Sequence, residues 1–240
     1  MRTFLINLDR SVDRLEIAKN RAEEAGVSFE RFAGVDGKEL SPSRKRQETG
    51  RIRSWLAKGG LNDGEIGCAL SHIYIYKKMV EEAIPIALVL EDDVLYLGDV
   101  KKAIKVVEDF VDVERPQVFQ LTYIVDGERV LVTDQEKCFP ISGGMFTSSY
   151  IITLAAASAL IRQNYPVIMP ADAWARWVRL RAIEFYQVFP AVFGQWSDNS
   201  LVREPGERLR YEHIMGRVLH KCKRLIGWPC DRVLSMITGR

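Results

Sequence analysis

The chain has 240 residues, 47% of them hydrophobic and 28% charged, with a formal net charge of +2. That much apolar side chain offsets the entropy of ordering the backbone, which excludes disorder as the main state. With 17 glycines, 9 prolines and 4 cysteines over this length, collagen-like and disulfide-scaffold chains are excluded as well.

The cysteines are Cys68, Cys138, Cys222 and Cys230. None form a CxxC pair, so neither a zinc ribbon nor a thioredoxin-type redox site is indicated, and reduced thiols in a cytosol are expected. The first residues turn polar after Phe4-Leu5-Ile6, too soon for the apolar core of a secretory signal. No run approaches the roughly 20 apolar residues of a spanning helix. The charge is uneven. Residues 206–240 hold eight Lys and Arg against three acids, while the rest of the chain carries 26 basic and 29 acidic groups. The division expected is therefore a mildly acidic domain over 1–205 and a basic segment over 206–240.

In chain order, Thr3 to Leu8 reads as a short buried strand ending in the polar turn Asp9-Arg10-Ser11. Ser11 or Asp13 caps a helix whose Leu15, Ala18, Ala22 and Ala25 recur at helical spacing, and Gly26 stops it. Ser28 to Ala33 is a second strand, followed by a turn at Val35-Asp36-Gly37. Residues 41–60 read as a mobile basic excursion with one short helix near Ile52 to Leu56. A helix over Gly64 to Val80 follows a glycine-bearing turn. Pro85 breaks it, and the uniformly apolar Ile86 to Leu90 is a strand covered on both faces. Ala103 to Phe110 is a helix and Val118 to Ile124 a strand. Gly143-Gly144 precede a strand over Ser148 to Ile152, which runs into an alanine-rich helix over 154–163. Strands alternating with helices predict a three-layer α/β fold with a mostly parallel central sheet.

The strongest chemical signal is Glu91-Asp92-Asp93, set directly after the apolar strand. Three adjacent carboxylates raise one another's proton affinity unless a cation is present. Ligands in open α/β sheets sit beyond the carboxyl ends of strands. Strand alternation would put Glu91 and Asp93 on one side and Asp92 on the other. Glu-x-Asp is a hard-oxygen pair suited to Mg²⁺ or Mn²⁺. The bland alternative is a solvated acidic turn.

A second feature is Gly64 to His72, GEIGCALSH. Glycines at a helix entry allow close backbone approach, and the free N–H groups there suit a phosphate. Ser71 and His72 are either site residues or a hydrogen-bonded pair within the helix. A third is Asn7, Asp9 and Arg10 with Asp13-Arg14, at the end of the first strand. That end commonly receives a nucleotide, although an Asp–Arg capping network fits the same residues.

Together these three segments resemble glycosyltransferase family 25, the lipooligosaccharide galactosyltransferase group that includes collagen-type galactosyltransferases. The matching runs are INLDRS with Asp13-Arg14, GEIGCALSH, and LVLEDDV over Leu88 to Val94, with weaker matches at Ser149 to Ile152, Pro170-Ala171-Asp172 and Ser197-Asp198. The resemblance implies a GT-A-like, Rossmann-type fold, a UDP-sugar donor, a Mn²⁺ or Mg²⁺ ion and inversion at the anomeric carbon. It implies Glu91 and Asp93 as metal ligands. It implies Asn7, Asp9, Arg10, Gly64, Glu65, Ser71, His72, Glu91 and Asp92 on the donor side.

Inversion needs a carboxylate to take the acceptor hydroxyl's proton. Asp172, in a Pro-flanked loop, is the candidate base and Asp198 the second; for Asp172 a helix N-cap before Trp174 is the competing reading. Trp174, Trp177 and Trp196 are candidates to stack on acceptor sugars, but Trp174 and Trp177 at i, i+3 equally fit core packing.

In residues 206–224, Leu209, Ile214, Val218 and Leu219 are mixed with Arg and Lys, which suits a helix lying on an anionic membrane. With the resemblance, the expected enzyme moves galactose from a UDP-sugar to a lipooligosaccharide or lipopolysaccharide acceptor, as a cytoplasmic protein peripheral to the inner face of the membrane. The alternatives are a non-catalytic nucleotide-sugar-binding or glycan-assembly scaffold module, and a galactosyltransferase acting on hydroxylysine-type protein acceptors. Nucleic acid is not an expected partner, because the body is acidic and carries no reading motif.

Overall fold

A computed structural model describes residues 1–49, 61–122, 137–144 and 146–195. They belong to one compact unit spanning Met1–Trp196. The expected helix near Ile52 to Leu56, Asp198, Trp196 and the whole basic segment over 206–240 lie outside the described residues.

The elements in chain order are β1 (Arg2–Asn7), α1 (Val12–Glu24), β2 (Glu30–Ala33), α2 (Pro42–Glu48), α3 (Asp63–Glu81), β3 (Ile86–Glu91), β4 (Val94–Tyr96), α4 (Val100–Glu108), β5 (Gln117–Gln120), β6 (Lys137–Pro140), β7 (Ser149–Thr153), α5 (Leu154–Asn164), α6 (Trp174–Arg179), β8 (Glu184–Phe189) and β9 (Phe193–Gln195). Seven strands form one sheet in the order β2-β1-β3-β7-β5-β8-β6. β1 pairs in parallel with β2 and β3, and β5 in parallel with β8. β7 runs against β3 and β5, and β6 against β8. The sheet is mostly parallel, as expected, with two strands reversed. β4 and β9 make a separate antiparallel pair.

The period-two alternation of the strands divides the core into two layers. From β3, Ala87 and Val89 pack with Phe4, Tyr150 and Ile152 beneath α3, α5 and α6. Leu88 and Leu90 point the other way and pack with Leu5, Phe119 and Ile151 against α1 and α4. All four of these β3 side chains are fully buried. Each contributes roughly 1.5–3 kcal/mol of apolar burial in the case of Leu and Val, and less for Ala. The uniform apolar run of β3 is thus the signature of a strand covered by helices on both sides, and the three-layer expectation holds.

Helix entries follow local chemistry. Asn62 caps α3 by accepting from Glu65 N at 2.9 Å, and the Glu65 carboxylate accepts from Asn62 N at 2.8 Å, a reciprocal capping box. Asp99 caps α4 and Thr153 caps α5 by one side-chain bond each, accepting from Lys102 N and Ala156 N. Gly26 ends α1 at φ +63°, where a side chain would be strained. Ser11 is the N-cap of α1 but makes no side-chain cap bond. The chain after residue 40 departs from its expected form: Ser41 accepts from Arg44 N and Pro42 opens α2, so the excursion begins with a capped helix.

Trp174 and Trp177 are buried in the core, with Trp174 stacked on Phe185 at 5.1 Å between ring centroids. The packing reading of this pair is the one the fold adopts, because both rings fill the space between α6 and the sheet.

Candidate functional site

Glu91 is the last residue of β3, and Asp92-Asp93 form the turn into β4. The period-two rule therefore stops at Glu91, and the expected shared side for Glu91 and Asp93 does not follow from it. Glu91 faces α3: His72 Nε2 lies 3.2 Å from Glu91 Oε1, and Thr147 Oγ1 donates to the same oxygen at 2.5 Å. Asp92 is buried and accepts from Asn7 Nδ2 at 2.8 Å. Arg14 pairs with Asp92 and stands 3.8 Å from Asp93. A guanidinium from α1 thus takes up part of the like-charge problem that the sequence presents.

Asn7 is fully engaged within the protein. Its amide also donates to Ser11 O at 3.0 Å, and its Oδ1 accepts from Arg31 Nε at 3.0 Å. It fastens the end of β1 to the acidic turn. Arg10 pairs with Asp36, and Asp9 with Arg31 at 2.5 Å. These are the Asp–Arg pairs of the network alternative, but they run to β2 and the loop after it and do not cap α1, which has no side-chain cap bond. Ser71 is likewise internal. It donates to Gly67 O at 2.7 Å and accepts from Val35 N at 2.8 Å, which ties the loop after β2 to α3.

The glycines of GEIGCALSH divide by role. A side chain on Gly67 would run into Val35 O and come within 2.7 Å of Gly37 N, so this glycine lets the loop lie against the helix. The close approach is between two parts of the chain. Gly64 is less confined: an added Cβ would meet only the Asn62 side-chain oxygen, at 3.3 Å.

A cavity of about 300 Å³ opens here, lined by Gly64, Glu65, Cys68, Glu91, Phe146, Thr147, Pro170, Ala171 and Asp172. Four segments far apart in sequence meet in it: the α3 entry, the end of β3, Phe146-Thr147 before β7 and the Pro170-Ala171-Asp172 loop. His72 reaches it through Glu91. Asn7, Asp9, Arg10 and Ser71 do not line it. Asp172 makes no side-chain cap; α6 has Ala173 at that position, and Asp172 contributes only its carbonyl, to Trp174 N at 2.7 Å.

The electrostatics of the cavity are negative. Partial withdrawal from water, and then the charges of Glu91 and Glu65, raise the Asp172 carboxyl above its ordinary value. Burial pushes Asp92 up, partly countered by the Asn7 hydrogen bond and Arg14. Burial also works against the Glu91 anion, but the hydrogen bond and charge of His72, with Thr147 and Arg14, hold it below its ordinary value. The Cys68 thiol is raised by burial first and further by Glu91, Asp172 and Asp93, so it stays protonated. Of the acidic turn only Glu91 lines the cavity; Asp92 and Asp93 stand on the Arg14 side of it.

Sequence reasoning missed several members. Tyr150 Oη lies 2.6 Å from His72 Nδ1, and Tyr76 Oη 2.8 Å from Tyr150 Oη, a buried polar chain behind Glu91. Cys68 stands four residues before His72, one helical turn away, and that spacing was the available signal. Thr147 carries no motif.

The geometry meets its family at this point. The sequence model of glycosyltransferase family 25 (LPS biosynthesis protein) matches residues 1–175. The chain belongs to that family. A glycosyltransferase 25 family member from Aedes aegypti is 32% identical over 183 residues, covering 71% of this chain and 30% of the relative. Procollagen galactosyltransferase 2 from Homo sapiens is 29% identical over 181 residues, covering 70% of this chain and 29% of the relative. The chain thus matches under a third of the length of these relatives. A solved glycosyltransferase involved in the glycosylation of the major capsid of PBCV-1 aligns over 88% of this chain and 97% of that one, with a TM-score of 0.40 and 12% identity. Nothing about function follows from so distant a likeness.

Proposed function

We propose that this chain is an inverting glycosyltransferase that moves galactose from UDP-galactose to a hydroxyl of a lipooligosaccharide or lipopolysaccharide acceptor. The observation that carries the reading is the cavity in which Glu65, Glu91 and Asp172 meet from three separate segments. The family description supports the acceptor class. The galactosyltransferase name of the human relative supports the sugar.

In this reading Asp172 is the general base. It stands at the cavity wall, outside the acidic turn, and its raised proton affinity makes it a better acceptor for a hydroxyl proton than an ordinary aspartate. Asp198 is the second candidate. Glu91 and Asp93 would hold Mn²⁺ or Mg²⁺, which when bound would stabilise the charge that grows on the departing diphosphate. Glu91 is held as an anion by His72 and Thr147, ready to face a cation. Asn7 and Arg14 fix the acidic turn beside the end of β1. Asp9 and Arg10 stand at the same strand end, on the side proposed for the nucleotide. The basic segment over 206–240 would hold the enzyme on the inner face of an anionic membrane, beside a glycolipid acceptor.

A second acceptor class is favoured by one specific observation, the procollagen galactosyltransferase names among the relatives. In that reading the same cavity serves a hydroxyl on a polypeptide.

A panel of UDP-sugars assayed with Mn²⁺ and with EDTA tests both parts of the proposal. UDP-galactose turnover that EDTA removes is the expected result. Binding of UDP without turnover on any glycolipid or peptide acceptor would overturn it in favour of a non-catalytic module.

A further inference from the structure

Cys68 and His72 leave the same face of α3 one turn apart, and Glu91 meets them from the end of β3. The thiol sulfur, one imidazole nitrogen and one carboxylate oxygen all lie within 4.8 Å of one another. Among the described residues no other group of three or more His, Cys, Asp or Glu side chains converges in this way.

We propose that Cys68, His72 and Glu91 form a site for a zinc-class divalent ion, with its fourth position open to the cavity. The ligand set is sulfur, nitrogen and oxygen, whereas Mn²⁺ and Mg²⁺ prefer oxygen alone. Three protein ligands with one open position is the arrangement of zinc sites that accept an outside oxygen. Tetrahedral ligands about 2.0–2.3 Å from zinc stand roughly 3.5 Å apart. His72 Nε2 and Glu91 Oε1 at 3.2 Å already meet that spacing, and no pair in the set exceeds 4.8 Å. An entry path exists, because Cys68 and Glu91 both line the cavity.

Each ligand already has a partner that would aim it. His72 Nε2 faces Glu91, and Nδ1 meets Tyr150 Oη at 2.6 Å. With Nε2 on the ion, Nδ1–H donates to Tyr150 Oη, which donates in turn to Tyr76 Oη 2.8 Å away. This fixes the tautomer and the ring plane, as outer partners of metal-bound histidines do. Thr147 donates to Glu91 at 2.5 Å and stands 4.0 Å from Cys68 Sγ.

Glu91 belongs to this set and to the oxygen set proposed for Mn²⁺. Zinc would therefore take Glu91 from the transfer reaction and suppress it. That consequence rests on the proposed function; the binding itself does not.

The test uses the full chain, reduced and stripped of metal, titrated with Co²⁺ as a spectroscopic stand-in for zinc. The expected result is the intense visible absorption of four-coordinate Co²⁺ with a near-ultraviolet thiolate band. Stoichiometric Zn²⁺ should bleach both, and Cys68→Ser should lack the thiolate band while Cys138→Ser keeps it. Tyr150→Phe should weaken zinc binding about tenfold. A second arm needs no variant. Peptide-resolved alkylation of the wild-type chain should show Cys68 protected about tenfold or more by saturating Zn²⁺ and not by Mg²⁺, in keeping with metal occupancy of the thiolate. A thiolate band undiminished in Cys68→Ser, or Cys68 alkylation indifferent to zinc, overturns the proposal. Neither readout requires transfer activity, so an inactive enzyme that binds zinc refutes the function and leaves the site intact.

Discussion

The substitution Gly67→Ala isolates the packing that places α3 against the site. A Cβ at residue 67 would overlap Val35 O and come within 2.7 Å of Gly37 N, both backbone atoms that cannot rotate away. The loop or the helix must move, and the loop is tethered to α3 by the Val35 N to Ser71 Oγ bond of 2.8 Å. Overpacking costs about 1–3 kcal/mol. Losing the tether adds about 1 kcal/mol. Replacing glycine by alanine within a helix returns about 1 kcal/mol. The net expectation is destabilisation by about 1–3 kcal/mol. Gly64→Ala is the matched control on the same helix, where the added Cβ meets only Asn62 Oδ1 at 3.3 Å, and it should not destabilise the protein, the helix gain of up to about 1 kcal/mol being offset only by that one contact. Urea unfolding of the three proteins gives the comparison directly. A Gly67→Ala protein as stable as the wild type would refute the reasoning, since the loop would then have room to spare.

Asn7→Ala leaves Asp92 buried without its amide donor and should cost about 1–3 kcal/mol, read as a lower midpoint in urea. Asp36 is held below its ordinary value of 3.8, first by the Lys38 N–H and then, against burial, by Arg10. Its stabilisation is therefore complete above pH 3.8 and fades as the pH falls through the lower native value. Asp36→Asn should flatten the acid limb of a stability-against-pH curve and leave its alkaline limb unchanged.

Much of this fold was legible because β3 reads as an unbroken apolar run ending in charge. That pattern marks a central strand covered on both faces, and it located the acidic turn. The α3 helix was equally plain from its 3- and 4-residue steps. The direction of β7 was not legible, because a buried strand has the same composition whichever way it runs. The opening of α2 was written in Ser41-Pro42, a cap followed by proline, but the surrounding Arg and Lys masked it.

Of the site, the sequence supplied Glu91 and Asp172, because carboxylates after strands and in Pro-flanked loops carry their own signal, and Glu65 through the resemblance of GEIGCALSH. It could not supply Thr147 or the Tyr150–Tyr76 chain, which arrive by tertiary packing. It raised an Asp–Arg network at the end of β1 but could not name the partners: Asn7 and Arg14 hold Asp92, Asp9 pairs with Arg31 and Arg10 with Asp36. Cys68 was overlooked because cysteines were judged by pairs of cysteines; its helical neighbour His72 was the partner to look for.

The central claim is that the cavity between α3, β3 and the Asp172 loop is where transfer occurs. UDP-galactose turnover by Asp172→Asn, measured beside its binding of UDP, tests this most directly. The account predicts a fall of roughly 10²–10⁴-fold in kcat with UDP binding retained. Wild-type turnover in Asp172→Asn would contradict it.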